Sequence, residues 1–181
     1  MKRILTALTV AATMFASSAS AFDPDDLQKV KDTTDCVDCD LKEAMLSGAN
    51  LNNANLNGAN LNGAMLLGTY LNNANLYRAN LTNAEAWSVD LNGANLTFAI
   101  MHRANLNGAH LVGANLTLAD LTLADLTLAD LNLADLNLAD LTQADLDGAN
   151  LTGADLTWAR MKGATLCNTT MPNGSVIYSG C

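Results

Sequence analysis

A five-residue phase runs without a slip from Leu41 to Leu166, and it restricts what this chain can fold into more than any other feature. Take the central apolar residue as the marker: Leu41, Leu46, Leu51, Leu56 and onward. There are twenty-six consecutive markers, and only Ala86, Met101 and Met161 are not Leu. Two residues before each marker sits Ala, except at Cys39, Thr69 and Val89. A period of five fits neither the 3.6-residue helix nor the two-residue strand. The Asn, Thr and Gly between markers also oppose a helix. A short extended segment followed by a turn, with four units closing a square coil, does fit. One coil cannot bury its own apolar side, whereas stacked coils build a continuous core. The segment is low in complexity, but its strict apolar register argues against disorder.

The unit itself, Ala-(Asp/Asn)-Leu-x-x in tandem, as in Ala119-Asp120-Leu121-Thr122-Leu123, resembles the pentapeptide-repeat family over about 130 of the 181 residues. That resemblance implies an all-β fold, a right-handed quadrilateral β-helix or solenoid, here of about 6.5 coils. The marker and the preceding Ala would point inward and the other three positions outward. At about 4.8 Å per coil the shaft would be roughly 30 Å long. Gly at the last position of the unit (Gly48, Gly58, Gly63, Gly93, Gly108) suits turns that need a positive φ.

The two ends are read separately. Residues 1–21 form a signal peptide: Lys2-Arg3, an apolar run from Ile4 to Ala16 too short to span a bilayer, then Ala19-Ser20-Ala21 as the cleavage site. The charge pattern is bacterial, so the mature product, starting at Phe22, is expected in the periplasm or secreted. Residues 22–38 form an N-terminal cap with a short helix, Asp23 as N-cap and Pro24 at its first position. Leu27 and Val30 would then lie over the first coil. The β-helix itself occupies 39–168, and 169–181 form a C-terminal capping hairpin around the turn Pro172-Asn173-Gly174, with Val176-Ile177-Tyr178 returning. All four cysteines fall in the mature part, where disulfides persist. Proximity favours Cys36–Cys39 and Cys167–Cys181, each stapling one end; a redox Cys-x-x-Cys is the functional alternative for the first pair.

Net charge is −9 for the whole chain. An acidic surface disfavours direct binding to nucleic acid or anionic membrane, and no later apolar run is long enough to span a bilayer. Residues twenty apart share a face, one coil on. Arg78, Phe98, Leu118, Leu138 and Trp158 thus form one column, with Phe98 to Trp158 spanning roughly 14 Å. Leu118, Leu123, Leu128, Leu133 and Leu138 belt all four faces of the C-terminal half. An exposed apolar patch of this kind marks a contact site; corner packing is the alternative. An acidic belt lies beside it: Asp120, Asp125, Asp130, Asp135, Asp140 and Asp145 precede successive markers, with Asp120 over Asp140 and Asp125 over Asp145. This reads as a solvated surface, with shared calcium as the lesser alternative. Asn75, Asn95 and Asn115 are expected to form an amide ladder.

For catalysis, the columns show no nucleophile, base and orienter together, and no Thr or Ser with a histidine beside it. His102 and His110 map to different faces. The reading is therefore a non-enzyme with no cofactor and no metal. It is an exported scaffold or protein-interaction module with an unknown protein partner, a monomer or weak homodimer. The alternative is an acidic DNA mimic that binds a nucleic-acid enzyme. Family resemblance implies a type II topoisomerase, as for quinolone-resistance members, but such a partner is cytosolic.

Overall fold

The computed structural model describes residues 22–178 and 181, so the expected leader at 1–21 lies outside the described residues. From Asp35 onward the residue before each marker bridges in parallel to the residue twenty positions later. Twenty-four successive bridges run from Asp35–Asn55 to Asn150–Thr170. Four five-residue units therefore separate stacked neighbours.

Hydrogen bonding explains why the unit has five residues and why Asp or Asn recurs in it. In the unit 59–63, Ala59 N–H closes a turn onto Leu56 O at 3.1 Å. Asn60 N–H donates back to Cys39 O in the preceding coil at 2.8 Å. Leu61 and Gly63 N–H donate forward to Asn80 O and Thr82 O at 2.7 and 2.9 Å. The fifth amide, Asn62, donates to the side-chain oxygen of Asn60 at 3.3 Å. All five donors are used, as a backbone withdrawn from water requires. The Asx side chain supplies the one acceptor that the stacking cannot.

The turn that ends each unit has a positive φ at its third residue. Every corner from Asp38 to Asn168 has it, between +53° and +73°, whether or not glycine occupies the site. That marks a type II rather than a type I turn. Inside the shaft the markers from Leu41 to Leu151 are 0–1% exposed, and the preceding Ala column is buried with them except at half-buried Ala49. Two inward positions are polar. Thr69 and Thr169 are fully buried, and each hydroxyl donates to a marker carbonyl, Leu46 O at 2.8 Å and Leu146 O at 2.7 Å. A buried hydroxyl with its own acceptor is tolerated.

The ends differ from each other. Helix α1, Pro24–Thr33, starts as expected, with Asp23 Oδ1 accepting Asp25 N–H at 2.8 Å and Pro24 in the first turn. It lies over the first coil: Val30 is fully buried and Leu27 packs on the core. Its start also pairs one side of the coil's edge, since Asp23 N–H donates to Asp40 O at 3.0 Å and Asp26 Oδ2 accepts Asp40 N–H at 2.8 Å, while the amides of Met45 and Asn50 on the next two sides have no protein acceptor among the described residues. At the other end β1 (Thr169–Thr170) pairs antiparallel with β2 (Val176–Ile177), around a turn in which Gly174 has φ +80°. The disulfides are Cys36–Cys39 and Cys167–Cys181.

The C-terminal hairpin does not cover its end as α1 covers the first coil. Leu156, Ala159, Met161, Ala164 and Leu166 are only partly buried. Among the described residues the amides of Leu156, Trp158, Met161 and Gly163 have no acceptor, where every earlier coil supplies one. The hairpin pairs along the side that carries Thr169 and Thr170 and leaves the preceding sides open.

Candidate contact surface

Outward side chains come from three positions of the unit, each constrained differently by the backbone. The residue before the marker serves as the Asx acceptor. The residue after it donates its amide to that acceptor. The corner residue sits in the left-handed region, where a side chain with a Cβ costs about 1–2 kcal/mol. Glycine, Asn or Asp would be the cheapest corner residue, and the N-terminal half largely uses them.

The leucine belt departs from this economy. Leu118, Leu123, Leu128, Leu133 and Leu138 all occupy left-handed corners, at φ +57° to +59°. Phe98 and Trp158, at +59° and +60°, extend the column at either end. Within that column Leu118 and Leu138 have large apolar neighbours above and below, and they are 40% and 46% exposed. Leu128 and Leu133 have glycines there instead and are 66% and 64% exposed. Each leans over the next coil: a Cβ added at Gly148 or Gly153 would lie 2.7 Å from Leu128 Cδ2 or Leu133 Cδ2. Corner packing therefore accounts for part of the Phe98–Trp158 column and leaves Leu128, Leu133 and Trp158 open to solvent. At the upper end, Arg78 lies over the rings of Tyr77 and Phe98, 5.1 and 5.8 Å from their centroids, and those rings meet edge to face.

The acidic-belt residues ring the shaft, Asp120, Asp125, Asp130 and Asp135 on successive sides, with Asp120–Asp140 and Asp125–Asp145 bridged one coil apart. Each is also structural. Asp120, Asp125, Asp130, Asp135, Asp140 and Asp145 accept the amide two residues on, at 2.9–3.1 Å. Among the described residues the one cluster of three metal-ligand side chains lies elsewhere, at Asp26, Cys36 and Cys39.

The family model for pentapeptide repeats matches residues 34–68, 66–97, 99–137 and 134–171. This chain belongs to the pentapeptide-repeat family. Solved structures similar to it include HetL, a pentapeptide repeat protein involved in heterocyst differentiation regulation from the cyanobacterium Nostoc sp. strain PCC 7120. That likeness is 37% identity over 79% of this chain and 70% of that one, at a TM-score of 0.48. A pentapeptide repeat protein of the Arabidopsis thaliana thylakoid lumen is 40% identical over 44% of this chain and 59% of that one, at 0.39. QnrB1, a plasmid-mediated fluoroquinolone resistance protein, is 20% identical over 75% and 73%, at 0.44. A search of the curated proteins found no match.

In this pentapeptide-repeat protein two carboxylates, Asp140 and Asp155, are tuned by their turns. Partial burial opposes ionisation of Asp140, but the Thr142 hydroxyl and amide and the Arg160 guanidinium outweigh it and hold its carboxyl below the usual range. Arg160 Nη1 lies 3.1 Å from Asp140 Oδ2. For Asp155 the Thr157 hydroxyl, helped by its amide, does the same.

Three arrangements differ from the sequence reading. The amide ladder runs from Asn95 to Asn75 to Asn55 to Asp35, with Nδ2 to Oδ1 distances of 3.1, 3.3 and 3.0 Å, and does not take in Asn115. A histidine does stand beside a threonine: His102 Nδ1 is 2.7 Å from Thr122 Oγ1, whose hydroxyl donates to Asp120 Oδ1 at 2.7 Å. With the threonine proton held by Asp120, His102 does not activate that hydroxyl.

The third is a second apolar patch, on the N-terminal part of one face. Met45 and Met65 are bridged neighbours, 68% and 48% exposed, and Trp87 is 44% exposed beside half-buried Leu67. Methionine cannot replace the Asx acceptor, and the amides of Ser47 and Leu67 have no protein acceptor among the described residues. The same twenty-residue spacing, applied to Met45 with Met65 and to Leu67 with Trp87, makes it visible in the sequence.

Proposed function

We propose that this protein is an exported, non-catalytic scaffold that holds a protein partner against the C-terminal half of its shaft. The contact surface is the column Phe98, Leu118, Leu138 and Trp158 with the belt residues Leu123, Leu128 and Leu133. One observation carries the reading: five successive left-handed corners hold exposed leucine where glycine or Asn would fit with less strain. Large solvent-facing apolar side chains at positions the fold does not require are a contact signature. The acidic belt between them keeps the apolar surface in solution and selects a partner that is not itself strongly acidic.

In this reading residues 1–21 are a leader removed after Ala21, and the product acts in the periplasm or outside the cell. Two disulfides suit an oxidising compartment. Among the described residues no helix is long and apolar enough to cross a membrane. Residues 39–168 wind as about 6.5 coils in a closed square, with 22–38 and 169–181 at its ends.

The test pairs two experiments. Cross-linking and co-purification from the exported fraction compare the wild type with a Phe98→Ser/Trp158→Ser variant, alongside oligomer size by light scattering. Loss of the partner with an unchanged circular dichroism spectrum is expected. Unchanged capture and unchanged size would defeat the contact surface. Fractionation with sequencing of the mature N-terminus checks export; a cytosolic product retaining Met1 would overturn it and favour the acidic mimic of nucleic acid.

A further inference from the structure

We propose that the N-terminal end of the shaft is a redox-gated metal site, in which Cys36, Cys39 and Asp26 bind a thiophilic divalent cation such as zinc once the disulfide is reduced. Helix α1 carries Asp26 across the first coil, directly above the cysteine pair. One carboxylate oxygen of Asp26 and the two sulfurs all lie within 4.8 Å of one another. Two thiolates and a carboxylate form a donor set suited to zinc, and a fourth position stays open for water. With zinc–sulfur bonds of about 2.3 Å, a tetrahedral ion holds its two sulfurs just under 4 Å apart. The Cα atoms of Cys36 and Cys39 are 5.3 Å apart, so side-chain rotation alone can open the pair to that separation.

The surroundings complete the site. Cys36 is fully buried and Cys39 is 2% exposed, so the two sulfurs form the dry side of the site, while half-buried Asp26 and exposed Lys29 form the side open to water. Lys29 Nζ lies 3.9 Å from Cys39 Sγ. Two thiolates and a carboxylate around a divalent ion carry a net charge of −1, and the Lys29 ammonium brings it to zero. Burial without that cation would be costly. Asp26 is already oriented, because its Oδ2 accepts the Asp40 amide at 2.8 Å. Outer hydrogen bonds of this kind hold metal ligands in place.

The chemistry balances as two steps. A dithiol reductant gives two electrons and two protons to the Cys36–Cys39 bond, leaving two thiols here and a disulfide in the reductant. The cation then displaces the two thiol protons. Disulfide and metal are alternative states of one pair, so the site reads the thiol balance of its surroundings. Its occupied form ties α1 to the first coil through Asp26, which the disulfide, joining two residues of the coil itself, does not.

Cobalt(II) titration of the full mature chain, in a Cys167→Ser/Cys181→Ser background that removes the other pair, tests this. After reduction, with two free thiols counted, one equivalent is expected to produce a thiolate-to-cobalt charge-transfer band, which zinc then bleaches. The oxidised protein is expected to show none. Asp26→Asn keeps the acceptor for the Asp40 amide and is expected to weaken binding at least tenfold. No charge-transfer band with both thiols free would overturn the site, and so would equal affinity in Asp26→Asn or in the oxidised protein.

Discussion

The two halves of the shaft share one interior and differ in what they do with the residue before each marker. In the N-terminal half this residue is most often Asn, and at Asn60, Asn75 and Asn95 it works twice. Asn75 Oδ1 accepts the Tyr77 amide at 3.3 Å, while its Nδ2 donates to Asn55 in the coil before at 3.3 Å. In the C-terminal half it is mostly Asp, which accepts in the same way and has no proton to pass on. Asp120 and Asp140 satisfy Thr122 and Thr142 yet stand one coil apart as like charges. Where Asx occupies the site, its turn uses only the acceptor. The donor is optional, so this protein can set the charge of its surface column by column without altering the coil.

Core substitutions should be blind to that division and have the largest effects. Leu56 and Leu136 lie in opposite halves and both are fully buried. Leu56→Ala and Leu136→Ala are each expected to cost about 2–5 kcal/mol in denaturant unfolding. A consistent gap between them would show that the interior is not uniform. Next comes the exchange of ladder for belt. Asn75→Asp keeps the acceptor for Tyr77 but loses the bond to Asn55, an expected loss of about 0.5–1.5 kcal/mol. Asp125→Asn, the reverse exchange, removes the charge facing Asp145 and adds a donor towards Asn105. It should stabilise by about 0.5 kcal/mol, and less in high salt, because exposed like charges are screened. If both exchanges destabilise equally, the donor is not optional and the comparison fails.

The interior was legible in the sequence because every inward position obeys one period and no neighbouring element competes for it. The turn chemistry was legible in part. Glycine at the corners suggested a positive φ, and the structure extends it to Arg78, Phe98 and five leucines. What the columns hid was competition for an acceptor. Asn95 Oδ1 already accepts the amide and the hydroxyl of Thr97, at 3.2 and 2.7 Å, and Asn115 does not join the ladder there. His102 meets Thr122 through the same twenty-residue spacing, in the column that follows the marker. The open C-terminal edge was not legible at all. A tail of fitting length with a turn and a disulfide looks like a lid in sequence, and only its pairing along one side shows that it leaves Leu156 and Met161 uncovered.

The smallest effect is the most specific to the acidic half. The carboxyls of Asp140 and Asp155 are held below their ordinary value, so the unfolded chain takes up these protons first as pH falls. Their contribution to stability is therefore fully present above about pH 4, the unfolded carboxyl range, and is lost as pH drops through the lower folded values. Thr142→Val removes the hydroxyl that donates to Asp140 and leaves the amide in place. The variant is expected to melt slightly below the wild type at pH 7, by less than about 1 kcal/mol because the group is near solvent. That gap should close as the pH falls below about 4. The equivalent pair in the other half, Thr97→Val beside Asn95, has a hydroxyl bond of 2.7 Å but no titrating partner. Its gap should stay constant over the same range. Parallel pH profiles for the two variants would show that the carboxylate at this position brings no acid sensitivity of its own.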